Sequence, residues 1–292
     1  MNNKNILVIG GSGFLGSHVA DALSDVGYHV KIYDRQESKW KQANQEMIIG
    51  DLLDQDLILK HTKNCFAVYN FAGIADLNEA ILKPVETARI NILGNVQLLE
   101  ACKINQVKRY VYASTVYVHS REGGFYRCSK QASESYVDEY QKSFGLNYTI
   151  LRYGSLYGPR SDVHNGLWRI VKDALNTGVV KYEGNIESVR EYIHVEDAAR
   201  ASVLTLASEF KNECLVLTGH EPLKVIDMLK MLSEIMGINK EVEFQNLPYP
   251  GHYIRTPYSY QTKLGKKFIP PMHVDLGQGL LQLIDEIKLG KS

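Results

Sequence analysis

The sequence predicts an α/β fold built on a doubly wound parallel sheet of the Rossmann type, and three observations carry that expectation. A short apolar run, Ile6–Ile9, passes straight into a glycine-rich turn. Apolar runs of strand length then alternate with stretches of helical periodicity as far as Arg152. Beyond Arg152 the alternation fades and Gly, Pro, Asn and Tyr become frequent, which marks a smaller C-terminal cap. Strands alternating with helices imply right-handed crossovers and a sheet covered on both faces.

Ile6–Ile9 suits a buried parallel strand. The helical spacing of Leu15, Val19, Ala22 and Leu23 predicts a helix over 13–24, stopped by Gly27. Val30–Tyr33 is a second strand ending at Asp34, and Met47–Ile49 a third running into Gly50 and Asp51. Ala67–Phe71 is a fourth, 109–113 a fifth and 148–152 a sixth, with long helices over 85–105 and 129–144. Ligands of such sheets sit at the carboxyl ends of the strands. The polar residues singled out below lie at or just past such ends.

Composition narrows the partners. Lys plus Arg equal Asp plus Glu at 33 each, so the net charge is zero. That balance argues against nucleic acid or an anionic membrane as the main partner. Cys65, Cys102, Cys128 and Cys214 form no CxxC pair and no cluster of zinc-like spacing, so no metal is expected. Reduced thiols fit a cytoplasmic protein. The first apolar segment is too short for a signal peptide or a membrane span.

The glycine turn reads as a dinucleotide site. Gly10, Gly13 and Gly16 fall between a strand and a helix at the spacing GxxGxxG. Gly10 permits the tight turn, Gly13 lets the backbone approach a pyrophosphate, and Gly16 lets helix and strand pack closely. Asp34 ends the second strand, where a carboxylate accepts both adenosine ribose hydroxyls and repels a 2′-phosphate, so NAD is favoured over NADP. Arg35 beside it is a counter-signal, because a guanidinium pairs with such a phosphate. Asp51 reads either as an acceptor for the adenine amine or as a turn residue.

Tyr126 and Lys130 stand four apart, on one face of a predicted helix. A phenol near pKa 10 is a poor base at neutral pH unless a cation stabilises the phenolate. Alone the pair says little. Beside a dinucleotide turn it reads as a proton-moving pair at a redox site.

These motifs together resemble the extended short-chain dehydrogenase/reductases, specifically the NAD-dependent nucleotide-sugar epimerase/dehydratase family. The resemblance runs through GGSGFLG at 10–16, Asp34, Gly50-Asp51-Leu52, Asn70-Phe71-Ala72-Gly73, Asn91 in NILGNVQLLEA, the Tyr126/Lys130 pair, LRYGSLYGPR at 151–160 and VREYIHVED at 189–197. From about residue 240 the match is loose. It implies an NAD-binding domain at 1–153 plus about 192–208, and a nucleotide-sugar-binding cap at 154–191 plus about 209–292. It assigns to the cofactor Phe14, Leu15, Leu52, Phe71, Ala72, Gly73 and Asn91, with Tyr126 and Lys130. Tyr153 reads as a wall of the nicotinamide pocket or as a core aromatic.

By the same resemblance Tyr126 is the acid/base, and Lys130 holds the nicotinamide ribose and lowers the pKa of Tyr126. Thr115, in Ser114-Thr115-Val116-Tyr117-Val118-His119-Ser120, is the hydroxyl that binds the reacting oxygen. A rival registration leaves the idle Ala113 there. Thr115 and Tyr117 are assigned to the substrate. Arg190 pairs with its pyrophosphate, Asn165 contacts phosphates or base, and Arg255 is either a second phosphate ligand or a solvated charge. His194 supports a turn.

No acidic residue follows Thr115, which speaks against dehydration and decarboxylation. What remains resembles a 4-epimerase. The alternatives are an NAD(P)H-dependent reduction of an NDP-4-keto-sugar and, in another class, a non-catalytic dinucleotide-binding sensor or partner module. The resemblance also implies a homodimer through the two long helices.

Overall fold

The side chains of β1 (Asn5–Ile9) alternate between two buried clusters, Leu7 and Ile9 in one and Ile6 and Val8 in the other. A strand buried on both faces needs parallel neighbours and helices above and below. Each such aliphatic side chain contributes roughly 1.5–3 kcal/mol by leaving water. The computed structural model describes residues 4–185, 187–238, 240, 242–245 and 252–257.

β1 pairs in parallel with β2 (His29–Asp34) and β4 (Ala67–Asn70). Outward from these lie β3 (Glu46–Ile49) on one side, and β5 (Arg109–Thr115), β6 (Tyr148–Tyr153) and β11 (Glu213–Leu217) on the other. The seven-stranded order is β11-β6-β5-β4-β1-β2-β3. It reverses direction between β1 and β4, the topological switch point where open α/β sheets bind ligands. Residues 213–217, expected in the cap, are therefore the outermost strand of the main sheet.

On the faces lie α1 (Phe14–Asp25), α2 (Gln55–Thr62), α5 (Asn95–Ile104), α6 (Gly124–Phe144) and α8 (Val195–Leu204). The helix expected over 85–105 is interrupted. α3 (Leu77–Leu82) precedes α4 (Pro84–Ala88), and a π-helical turn, Arg89–Gly94, joins α4 to α5. Gly123 and Gly124 take positive φ, which lets the chain turn into α6 well before residue 129 and puts Tyr126 inside the helix with Lys130. Gly145 closes it in a left-handed cap.

The cap is made of short pieces. α7 (Gly166–Thr177) and α9 (Val225–Ile235) pack around Ala174, Val180, Val225, Met228 and Leu229. Three two-stranded ribbons complete it: β7 (Ser155–Tyr157) with β10 (Tyr192–His194), β9 (Val189–Arg190) with β12 (Leu223–Lys224), and β8 (Lys181–Glu183) with β13 (Glu243–Gln245). The remainder of the expected cap, from 258 onward, lies outside the described residues.

Candidate active site

The glycine turn after β1 lines a cleft of about 190 Å³ with Gly10, Gly13, Asp34, Arg35, Asp51, Leu52, Phe71, Ala72 and Gly73. Nine residues expected at a dinucleotide thus face one space, and Ile90 joins them from the π-helical turn. The turn has no room for side chains. Gly10 takes φ +75°, and a Cβ there would sit 2.6 Å from the Ala72 nitrogen. A Cβ on Gly16 would sit 2.2 Å from the Gly10 oxygen, so Gly16 holds α1 against the turn. Phe14, Leu15 and Gly16 form the first turn of α1, whose N–H groups no helical carbonyl accepts. No acidic side chain occupies that turn, and its partial positive charge suits a pyrophosphate.

Asp34 is held for this cleft. Its carboxylate accepts from the Ser12 N–H at 3.0 Å and the Gln36 N–H at 3.2 Å. A carboxylate has about four acceptor positions, so others stay available to ribose hydroxyls. Asp51 accepts from the Leu53 N–H at 2.8 Å, a turn contact, while lining the same cleft. The residues present fit an adenine dinucleotide.

Asn91 stands behind this cleft rather than on its wall. Its carbonyl accepts from the Ile74 N–H at 2.8 Å, and its amide donates to Ile74 O at 3.0 Å and Ser129 Oγ at 2.9 Å. It straps the loop after β4 to α6, with both amide N–H donors engaged in the fold.

Tyr126 and Lys130 meet Thr115 where β5 ends. Burial pushes the Tyr126 phenol up to about 12, and the Thr115 hydroxyl beside it pulls the other way. The Lys130 ammonium donates to Ala113 O at 2.7 Å, lies 4.7 Å from the Tyr112 ring centroid and 5.8 Å from that of Tyr126. Burial pushes Lys130 down to about 8. The downward pull on the phenol thus comes from Thr115, whereas the sequence reading assigned it to Lys130. One N–H of the ammonium goes to Ala113 O and the group lies against aromatic rings, which leaves donors for a ligand.

A second cleft, about 230 Å³, is lined by Thr115, Tyr117, Tyr153, Asn165 and Arg190. A third, about 750 Å³, opens over the cap between α7 and β8. The two share Gly166, Leu167, Arg190, Tyr192 and His252. Arg190 is buried, donates to Val189 O and Ile254 O at 3.1 and 3.2 Å, and stacks 4.5 Å over the Tyr253 ring. Among the described residues no carboxylate pairs with it, which leaves its charge for a ligand.

His252 and Tyr253 escaped the sequence reading. Tyr117 Oη and His252 Nδ1 are 2.6 Å apart, and the Tyr117 ring stands edge-on to Tyr126 at 6.3 Å. Burial, then the charges of Arg190 and Arg169, push His252 down to about 4. Both residues lie in the loosely matching tail, where no spacing or motif marks them.

Two expected ligands have partners within the fold, and a third stands away from the three clefts. Asn165 caps α7, accepting from the Trp168 N–H at 3.1 Å and donating to Leu156 O at 2.8 Å, so both ends of its amide are engaged. Tyr153 is a core aromatic whose phenol lies 2.6 Å from Ser202 Oγ, with one edge on the second cleft. Arg255 is exposed and lines none of the three clefts. Among the described residues no helix is long and apolar enough to cross a membrane, and no cluster of side chains has metal-binding geometry.

Residues 6–216 match the model of the NAD dependent epimerase/dehydratase family. A Methanocaldococcus jannaschii protein provisionally named UDP-glucose 4-epimerase is 26% identical, and the match covers 97% of this chain and 98% of that one. The Thermotoga maritima UDP-glucose 4-epimerase, solved with UDP-glucose, superposes with a TM-score of 0.80 at 28% identity over 88% of this chain and 90% of that one. The Thermus thermophilus UDP-glucose 4-epimerase, solved with NAD, gives 0.78 at 28% identity over 87% and 90%.

Proposed function

This chain belongs to the NAD dependent epimerase/dehydratase family, and from that premise we propose that it is a nucleotide-sugar 4-epimerase inverting C4 of an NDP-hexose. The observation that carries the reading is the gathering of Thr115, the Tyr126 phenol and the buried Lys130 ammonium at the end of β5. The names of its relatives, three of them UDP-glucose 4-epimerases or provisionally so, favour a UDP-hexose as substrate.

Bound in the glycine-turn cleft, NAD supplies reversible hydride acceptance at C4. Asp34 holds its adenosine ribose, the first turn of α1 its pyrophosphate, and Lys130 the other ribose. Tyr126 removes the proton of the 4-hydroxyl and returns it once the ketose has turned over, so one cycle uses both phenolate and phenol. Thr115 holds the reacting oxygen throughout. Arg190, buried and stacked on Tyr253, grips the substrate pyrophosphate. Val116 and Tyr117 put no carboxyl beside Thr115, which favours epimerisation over dehydration. On this reading the sheet is the NAD domain and the pieces around α7 and α9 are the nucleotide-sugar cap.

The reading extends to assembly and location. Val85, Leu93, Ile104, Tyr136 and Phe144 lie exposed on the segments 84–104 and 124–144, and such a face supports a homodimer. Free thiols at all four cysteines suit the cytoplasm.

The test is to denature the purified protein, identify the released nucleotide, and incubate fresh protein with UDP-glucose and dTDP-glucose without added cofactor. Released NAD and a C4-inverted product with no net NADH are expected. Protein that releases no nucleotide and turns over only a 4-keto-sugar supplied with NAD(P)H would make it a reductase.

A further inference from the structure

Three consecutive residues of β5 reach three residues of α6. Ala113 O accepts from Lys130 Nζ at 2.7 Å, the Ser114 hydroxyl donates to Glu134 Oε1 at 2.5 Å, and the Thr115 hydroxyl acts on the Tyr126 phenol beside it. On the helix the three partners stand four residues apart, at 126, 130 and 134, so they form one stripe. The Tyr/Lys pair thus continues into Glu134, and the stripe fastens α6 to β5 in one register. Arg152, opposite Ser114 in the neighbouring strand β6, closes the third contact. Its guanidinium grips Glu134 with two bonds, Nε to Oε1 at 3.0 Å and Nη2 to Oε2 at 2.7 Å, and its Nη1 lies 3.1 Å from His119 Nε2.

We propose that Glu134 is a positioning residue for the epimerase site: it locks α6 on β5, setting Tyr126 and Lys130 at the end of that strand, and it completes the electrostatic surroundings of the Lys130 ammonium. The assignment rests on the reading of Lys130 as a ligand of the NAD ribose. Burial works against the Lys130 charge, and Glu134 is the group that works for it. The other groups against the ammonium, the rings of Tyr112 and Tyr126 and the Ala113 carbonyl, carry no formal charge. Paired with Arg152 and bonded to Ser114, Glu134 has little freedom to move, which suits a part that sets spacing.

The test is Glu134→Gln, which keeps the shape and removes the charge. NAD affinity is measured by calorimetry across pH 6–10, a readout that needs no sugar, and turnover is measured on UDP-glucose. Without the carboxylate, Lys130 gives up its proton more readily. The pH at which NAD affinity falls should therefore move down in the variant, and turnover at neutral pH should drop on the order of tenfold with little change in KM. An NAD affinity curve that superposes on the wild type would overturn the proposal, because a merely structural role changes the folded fraction and not the position of that curve. If the curve moves but neither protein turns over any nucleotide hexose, the epimerase reading falls and the assignment of Glu134 stands. Should Glu134→Gln not fold, Ser114→Ala removes one contact and keeps both charges. A severalfold loss of NAD affinity at pH 7 is expected there, and wild-type affinity and turnover would overturn the proposal.

Discussion

Tyr126 faces opposing demands. Burial holds its proton and the Thr115 hydroxyl loosens it, and a step that runs in both directions needs both forms. Tyr126→Phe should lower turnover by about 10³-fold and leave NAD bound, measured by a coupled assay and by the nucleotide released on denaturation. Lys130, pushed down to about 8, is charged below that pH and neutral above it. Turnover should accordingly fall as the pH climbs through about 8, and the wild-type rate profile checks this. Asp34→Ala removes the carboxylate that repels a 2′-phosphate, so the ratio of NADP to NAD affinity should rise at least about tenfold in a binding titration. At this scale, residues in fixed motifs were legible. Tyr126, Lys130, Thr115 and Asp34 stand in strands or helices whose period sets where a side chain points, and Arg190 in a run, VREYIHVED, that carries the family resemblance. Asn91 and Asn165 also serve as a strap and a helix cap, uses the sequence does not separate from ligand contact because the neighbours of an amide are the same in either case.

The elements around the site make two claims. Gly16 stands where a Cβ would meet the Gly10 oxygen at 2.2 Å. Gly16→Val should therefore force α1 away from β1, cost on the order of 1–3 kcal/mol in denaturant unfolding, and strip the protein of NAD. Asn165→Ala removes the cap of α7 and should cost about 1 kcal/mol with KM for the nucleotide sugar nearly unchanged. A large rise in KM at unchanged stability would return Asn165 to the substrate. The central strands were legible because two buried faces leave a continuous apolar run. The π-helical turn at 89–94 was not, since a single widened turn preserves the apolar pattern of the helix around it. Strand β11 was missed because Lys211 and Asn212 before it and its own first residue, Glu213, look like loop, and only pairing with β6 makes a strand of it.

At the scale of the whole molecule, the main sheet bears the glycine-turn cleft and the cap bears Arg190. The cap was the least legible part, because strands of two or three residues show no period and its apolar cluster gathers residues from 167 to 244. The exposed apolar side chains of the 84–104 and 124–144 segments should be covered in solution, and sedimentation equilibrium should return twice the chain mass. The central claim is that hydrogen leaves C4 and returns to it without meeting water. The most direct measurement uses UDP-glucose carrying deuterium at C4, with no cofactor added, and follows the product by proton NMR. The account predicts the C4-inverted hexose with its deuterium still on C4 and no net NADH. Loss of the label to solvent, or no inversion at all, would contradict it.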